Sequence, residues 1–357
     1  MIGKLVKRII LGQSAEALGL DIGSGYIKMA YISHKDSVPM LLGTAIRAIP
    51  AEIMQNEEII DMEALAELLR SMTAQFPQAR KNAVFGIGGR MVYSREVILP
   101  DLSPKEMVEA IKWDMDSYVP YAADSYYYDY TVVEKVSGEK GTEAKVLIVS
   151  ALKERVNRFI QLAEAAGLQI GAIDFEALAV QRTFPTSLNG IVVDIGKNVC
   201  QIMILQKGSP VVVRTIPLGG HQVTQTMMQH MAVDYVTAEA VKVKGRNLLP
   251  SLTAKGPTEE LHSQIQYVVE DLAREIRRTF EYHQMQHKEM IAEQVFLTGG
   301  GALLKGLAEH LAAQIELPVL LNNPFEAVRI SKKLDRSSLY AAAPQFTVAI
   351  GLALQEG

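Results

Sequence analysis

Two stretches about half a chain apart carry the same chemistry-bearing pattern. Gly19-Leu20-Asp21-Ile22-Gly23-Ser24-Gly25 and Val192-Val193-Asp194-Ile195-Gly196-Lys197-Asn198 each read as an apolar strand ending in an Asp-x-Gly turn. Glycine lets backbone approach an anion closely, and the free N–H groups of such a turn point at phosphate. The aspartates suit a hydrated Mg²⁺ held largely through water, because a carboxylate repels phosphate itself. Ser24 and Lys28 are placed to contact phosphate, unless Lys28 sits on the outer strand surface. A third stretch, Val295-Phe296-Leu297-Thr298-Gly299-Gly300-Gly301-Ala302-Leu303-Leu304, runs a strand into three glycines and a helix start. That shape admits a nucleoside against backbone. Each stretch alone is commonplace; together they predict two related half-domains sharing one site.

The rest of the chain must position these turns. Its 357 residues are enough for two or more domains with proper cores, and 48% hydrophobic with 21% charged residues fits an ordinary globular protein. A net charge of −4 gives no basic field for nucleic acid. Cys200 is the single cysteine, which excludes an intramolecular disulfide and a cysteine-based zinc site and suits a reducing cytoplasm. No apolar run reaches the ~20 residues of a spanning helix. Met1–Leu11 is short, basic and amphipathic, and reads as a leader before the first strand rather than a membrane-surface foot.

In chain order, Leu18 to Thr44 reads as three strands with a glycine turn and a hairpin. Asp61 caps a helix to Met72 with Met62, Leu65, Leu68, Leu69 and Met72 as its buried stripe. Val84-Phe85-Gly86-Ile87-Gly88-Gly89 reads as a strand end with hinge glycines, since no lysine or acidic partner sits where a phosphate loop needs one. From Met91 to Phe175 the order is β-α-β-β-α-β, as in a small ferredoxin-like domain: strand to Leu99, helix from the capping box Ser103-Pro104-Lys105-Glu106 to Tyr118, strands Tyr126–Val136 and Ala144–Ala151, helix Lys153–Ala166 closed by Gly167, and strand Leu168–Phe175. The second half follows from Val192, with a turn at Lys207-Gly208 and helices from His221, Thr237 and Thr258. His283 and His287 lie four apart on the last, but Gln284 replaces a zinc hydrolase's glutamate, so a polar helix end explains both.

In this order the motifs resemble the actin-like ATPase superfamily, which includes actin, sugar kinases, DnaK-type chaperones and the division protein FtsA. Asp21 to Lys28 matches its first phosphate motif, Asp194-Ile195-Gly196 the second, and Leu297 to Leu304 the adenosine motif. Ala238-Glu239-x-x-Lys242 with Gly245 is similar to the nucleoside-clamping helix of the bacterial actins, and Phe346 to Leu354 to the second interdomain connector. Glu176 falls at the first connector, where the superfamily carries a water-positioning Gln or Glu. Ser94-Arg95-Glu96-Val97-Ile98-Leu99-Pro100, Ala110-Ile111-Lys112-Trp113-Asp114, Tyr118-Val119-Pro120-Tyr121, Ala165-Ala166-Gly167-Leu168 and Ile173 to Ala179 resemble the PilM family of type IV pilus assembly. One departure stands out: Cys200 occupies the place of the threonine four residues beyond the second motif's glycine.

The resemblance implies an α/β actin-like ATPase fold with a nucleotide cleft and a ferredoxin-like insert. It implies a first half of residues 1–84, 175–190 and 322–357, an insert of 85–174, a second half of 191–222 and 288–321, and a helical subdomain of 223–287. ATP with Mg²⁺ is the implied cofactor. Asp21, Asp194 and Glu176 are the implied catalytic carboxylates, and Asp21 and Asp194 hold the metal mostly through water. Gly23, Ser24, Gly25, Lys28, Gly196, Lys197, Asn198, Glu239, Lys242, Gly299, Gly300, Gly301 and Leu304 are the implied nucleotide contacts. The family further implies a cytoplasmic scaffold at the inner face of the membrane. There it binds the cytoplasmic N-terminal tail of a PilN-like single-pass protein in a groove beside the insert, with pilus motor ATPases and self-association as further contacts. Loss of the threonine hydroxyl at Cys200 leaves slow hydrolysis open. A small-molecule kinase of the same superfamily is the alternative, though the insert shows no sugar-binding carboxylate cluster. An FtsA-like tether needs a C-terminal amphipathic helix and a DnaK-like chaperone a substrate domain; neither is expected after Leu354.

Overall fold

The computed structural model describes residues 15–55, 57–74, 76–138, 141–244, 248–249 and 260–355. The leader at Met1–Leu11, Gly245 and the first residues of the Thr258 helix lie outside the described residues.

β1 (Glu16–Ile22), β2 (Tyr26–Ser33) and β3 (Met40–Ala48) form an antiparallel meander, as their alternating apolar residues require. The two-residue strands β4 (Met54–Gln55) and β5 (Glu58–Ile59) lead into α1 (Met62–Thr73), whose first turn is capped by Asp61 accepting the Ala64 N–H at 3.0 Å. β6 (Ala83–Ile87) then runs parallel to β1. β7 (Val92–Pro100), α2 (Pro104–Tyr118), β8 (Tyr126–Gly138), β9 (Gly141–Leu152), α3 (Lys153–Ala166) and β10 (Ile170–Phe175) follow in the expected β-α-β-β-α-β order. α4 (Glu176–Gln181) begins the connection to the second half.

That half holds β11 (Gly190–Ile195), β12 (Cys200–Gln206), β13 (Ser209–Ile216), α5 (Gly220–Met231), α6 (Tyr235–Val243), α7 (Glu260–Gln286), β14 (Val295–Thr298), α8 (Leu307–Ile315) and β15 (Val319–Leu321). The chain returns through β16 (Arg329–Ile330), α9 (Arg336–Ala341) and α10 (Thr347–Ala353). α6 starts two residues before Thr237, because Asp234 caps it by accepting the Thr237 N–H at 2.8 Å. The glycine triplet opens one turn of 3₁₀ helix, Gly300–Leu303, and the α-helix begins only after Gly306.

The two halves are copies of one topology. The first sheet runs β10-β6-β1-β2-β3 with β16 beyond, and the second runs β14 and β15 beside β11-β12-β13 in the same sense. In each, a three-stranded meander is extended by two parallel strands on the side of its first strand. The insert differs from a complete ferredoxin-like sheet. Its own sheet has three strands, β7-β9-β8, while β10 pairs with β6 in the main sheet and sets Ile173 opposite Phe85. α3 likewise packs its Phe159 on Phe85, with ring centroids 6.0 Å apart. The expected fourth strand thus serves the first half, where Ile173 and Phe175 are buried.

One apolar cluster joins the two halves and the insert. It combines Val84 of the first half, Leu147 and Val149 of the insert, Phe175 and Val180 of the connection, and Met203 and Leu205 of the second half. The connecting helices α4 and α10 cross tightly there. A Cβ on Gly351 would lie 1.8 Å from the Ala179 carbonyl oxygen.

Candidate functional site

A cleft of about 730 Å³ separates the halves, entered by the ends of β1 and β11. Every residue expected at the site lines its wall except Asn198, which belongs to the second turn but does not reach the wall. The two turns share one geometry. The Gly23 N–H donates to the Tyr26 carbonyl at 3.1 Å, and the Gly196 N–H donates to the Val199 carbonyl at 3.0 Å. Among the described residues, the N–H groups of Ser24, Gly25, Lys197 and Asn198 donate to no protein acceptor. Such unpaired donors at a turn form a concave site for an anion.

Across the strands the symmetry breaks. Asp21 stands opposite Lys28, and the ammonium donates to its carboxylate at 2.8 Å. Lys28 therefore faces the cleft and not the outer strand surface. Burial opposes its charge, but Asp21, Asp194 and Glu176 outweigh that and hold its pKa above the usual lysine value. Asp194 stands opposite Gln201 in the same register, and its carboxylate accepts no hydrogen bond among the described residues. Burial pushes Asp194 up to about 6 against the pull of Lys28, and the Asp21 charge adds to the rise. The Gln201 Oε1 atom is buried without a partner. Glu176, at the start of α4, is pushed up to about 8 by burial and then by the charges of Asp21 and Asp194. Its carboxylate rests against the end of β6, where a Cβ on Gly88 would lie 2.0 Å from Oε2.

The opposite wall is built around glycine. Gly299 has φ +81°, and a Cβ there would meet Asp194 Oδ1 at 2.4 Å. Its N–H and the Thr298 hydroxyl both donate to the Pro344 carbonyl, at 2.9 and 2.8 Å, which ties this loop to the segment before α10. A Cβ on Gly301 would strike Ile195 Cγ2 at 2.3 Å, so the triplet is pressed on the second turn. Facing it, Lys242 pairs with Glu239 at 2.8 Å and donates to the Thr224 hydroxyl at 2.7 Å, which in turn donates to Glu239 at 2.6 Å. This triad fixes α6 on α5. Lys197 extends from the second turn, its ammonium 5.0 Å from the Tyr235 ring centre. Cys200 is buried at the start of β12, and burial pushes its thiol up, so it packs as a small neutral side chain.

Sequence reasoning missed several wall residues: Glu57, Gly88, Gly89, Arg155, Gln201 and Tyr235. Gly88 and Gly89 were read as hinge glycines, and their neighbours Glu176 and Glu57 come from other segments of the chain. Gln201 had a usable signal, since it holds in the second motif the place that Lys28 holds in the first.

The site suits a polyphosphate nucleotide with a hydrated divalent cation. Free N–H groups of this kind can take an anion, and a carboxylate that accepts no hydrogen bond can take a cation. No group of three or more metal-ligating side chains occurs among the described residues.

Duplicated sheets facing across such a cleft define the actin-like ATPase fold. The chain shares that fold with MreB5 of Spiroplasma citri bound to AMPPNP, at 14% identity and TM-score 0.52 over 95% of each chain. Within that class, the chain belongs to the family of type IV pilus assembly protein PilM, which it matches over residues 19–357. It superposes on the solved PilM–PilN type IV pilus biogenesis complex with TM-score 0.82 and 25% identity, covering 95% of this chain and 97% of that one. It is also 23% identical to the cell division protein FtsA of Escherichia coli (strain K12) over 235 residues, 59% of this chain and 54% of FtsA. The chain thus spans about half the length of that curated relative.

Proposed function

We propose that the chain is a nucleotide-binding scaffold of the type IV pilus inner-membrane platform, holding the cytoplasmic N-terminal tail of a PilN-like single-pass protein beside the insert. The observation that carries the nucleotide reading is the pair of equivalent Asp-x-Gly turns with free N–H groups across one cleft. Family membership and likeness to a PilM solved with PilN support the partner. MreB5, a relative in fold, was solved with AMPPNP.

When bound, Mg-ATP would supply a hydrolysable phosphoanhydride. The turns after Asp21 and Asp194 hold phosphate through backbone N–H groups, with Ser24 and Lys28 beside them. Asp194, and Asp21 shared with Lys28, hold the water shell of the cation. Glu176, on the cleft wall, would orient the attacking water. Gly299, Gly300, Gly301 and Leu304 take the nucleoside on one side, and Glu239 and Lys242 flank it on the other. Closure of the halves, 1–84 with 175–190 and 322–357 against 191–222 with 288–321, would then alter the groove beside the insert (85–174).

Among the described residues no helix is long and apolar enough to cross a membrane, which suits attachment to its inner face through the partner. Contacts with pilus motor ATPases and with a second copy belong to the same reading. A small-molecule kinase would use the same cleft, but family membership favours the scaffold. A tagged pull-down from detergent-solubilised membranes, read by mass spectrometry, tests this. Recovery of a small single-pass membrane protein supports it; recovery of soluble proteins alone under every nucleotide condition returns the question to the kinase.

A further inference from the structure

Arg155 is a cation on the cleft wall that the nucleotide chemistry does not use. It stands in the first turn of α3, three residues beyond Leu152, the last residue of the insert's central strand β9. Its guanidinium turns back to the first half, where Nη1 donates to the Glu57 carbonyl and Cζ lies 4.9 Å from the Phe159 ring centre. It makes no ion pair among the described residues. Burial lowers its pKa, although the charges of Glu57, Glu176 and Glu58 all favour the cation.

Glu57 is itself unusual, a non-glycine residue with φ +71°. Such a conformation costs of order 1–3 kcal/mol and persists only where the surroundings hold it. The Arg155 bond is one such restraint. The Gly88-Gly89 turn sits between two carboxylates: a Cβ on Gly88 would lie 2.0 Å from Glu176 Oε2, and one on Gly89 would lie 2.7 Å from Glu57 Oε2. A continuous series of contacts therefore runs from Glu176 through Gly88-Gly89 and Glu57 to Arg155, and so into β9.

We propose that Arg155 is a positioning residue through which the state of Glu176's end of the cleft reaches the insert. A bound phosphate–cation pair or its water draws the Glu176 carboxyl off Gly88. With that carboxyl withdrawn the Gly88-Gly89 turn is free to move, which shifts Glu57, and Arg155 carries that shift to the start of α3 and the end of β9. This rests on the nucleotide reading above. The apolar cluster joining Phe175 and Val180 to Leu147 and Val149 offers a rival route that bypasses Arg155.

Hydrogen–deuterium exchange on the full chain, with and without AMPPNP and MgCl₂, separates the two routes. Peptides over 19–30 and 192–203 report occupancy, and peptides over 145–160 report the insert. In the wild type both regions should gain protection. Arg155→Met should keep the protection of the turns while that over 145–160 falls at least about twofold, and Arg155→Lys should keep most of it. If the methionine variant does not fold, Arg155→Ala, which also removes the donor to the Glu57 carbonyl, carries the same expectation. An insert response unchanged in either neutral variant, or absent in a wild type whose turns are protected, overturns the role of Arg155. No protection of the turns in the wild type overturns the nucleotide reading, and this proposal with it.

Discussion

Asp21 and Asp194 end equivalent strands in the two halves, yet only Asp21 has an ammonium on its carboxylate, that of Lys28 at 2.8 Å. The strand neighbour of Asp194 is Gln201, which carries no charge. The cleft therefore holds one aspartate paired with an ammonium and one with no hydrogen-bond donor on its carboxylate among the described residues. We propose the second as the place where a cation gains most.

Asp194→Asn should remove most of the magnesium dependence of nucleotide binding, a loss of about tenfold or more in Mg-ATP affinity, or about 1.4 kcal/mol. Binding of metal-free nucleotide should change much less. Fluorescent nucleotide titrations with MgCl₂ and with EDTA read the difference. Equal affinities for wild type and variant in magnesium would move the cation elsewhere.

The same charge should appear in stability against pH. Burial pushes Asp194 up to about 6 and Glu176 up to about 8, both above their ordinary values of 3.8 and 4.5. The folded state thus keeps protons that the unfolded chain has released. Stability from these groups is greatest at low pH and falls as pH rises through 6 and then 8. Water in the cleft limits the combined effect to about 1–3 kcal/mol. Thermal unfolding between pH 5 and 8.5 should show a flatter decline for Asp194→Asn and Glu176→Gln than for the wild type.

Neighbouring glycines of the triplet should differ sharply. Gly299→Ala places a Cβ 2.4 Å from Asp194 Oδ1 on a left-handed backbone, and should cost about 2 kcal/mol or more. At Gly300 the nearest atom to such a Cβ is Gln345 Oε1 at 3.9 Å, so alanine should be tolerated in the unliganded fold. Chemical denaturation of both variants decides. Similar losses would mean that close packing is not what selects Gly299.

Gly351→Ala tests the crossing of the connecting helices. Its Cβ would meet the Ala179 carbonyl at 1.8 Å, and neither backbone can yield without parting α4 from α10. The variant should lose more than about 3 kcal/mol or fail to accumulate as folded protein. Wild-type stability would show that the helices part easily.

The strand-and-turn motifs were legible because their chemistry is local: an apolar run, an aspartate and a glycine within seven residues. The glycine triplet was legible for the same reason, although Gly306 delays its helix. β10 was legible as a strand, but its sheet was not, because an apolar run does not name its partner strand and tertiary packing on Phe85 selects β6. Arg155 and Glu57 were illegible as site residues. Nothing near them in sequence marks a cleft, and the contact that unites them with Glu176 is made by three separate segments. Lys28 lay between these cases: strand alternation could not say which face it took, and the antiparallel register with Asp21 did.

The central claim is that nucleotide in the cleft changes how the chain holds its partner. The direct measurement is calorimetric titration of the full chain with the N-terminal cytoplasmic peptide of the PilN-like protein recovered with it, once without nucleotide and once with saturating Mg-AMPPNP. A nucleotide-gated scaffold should show affinities differing by about fivefold or more, a coupling of about 1 kcal/mol. Identical affinities, with nucleotide binding verified in the same sample, would contradict it and leave a scaffold that does not read its own cleft.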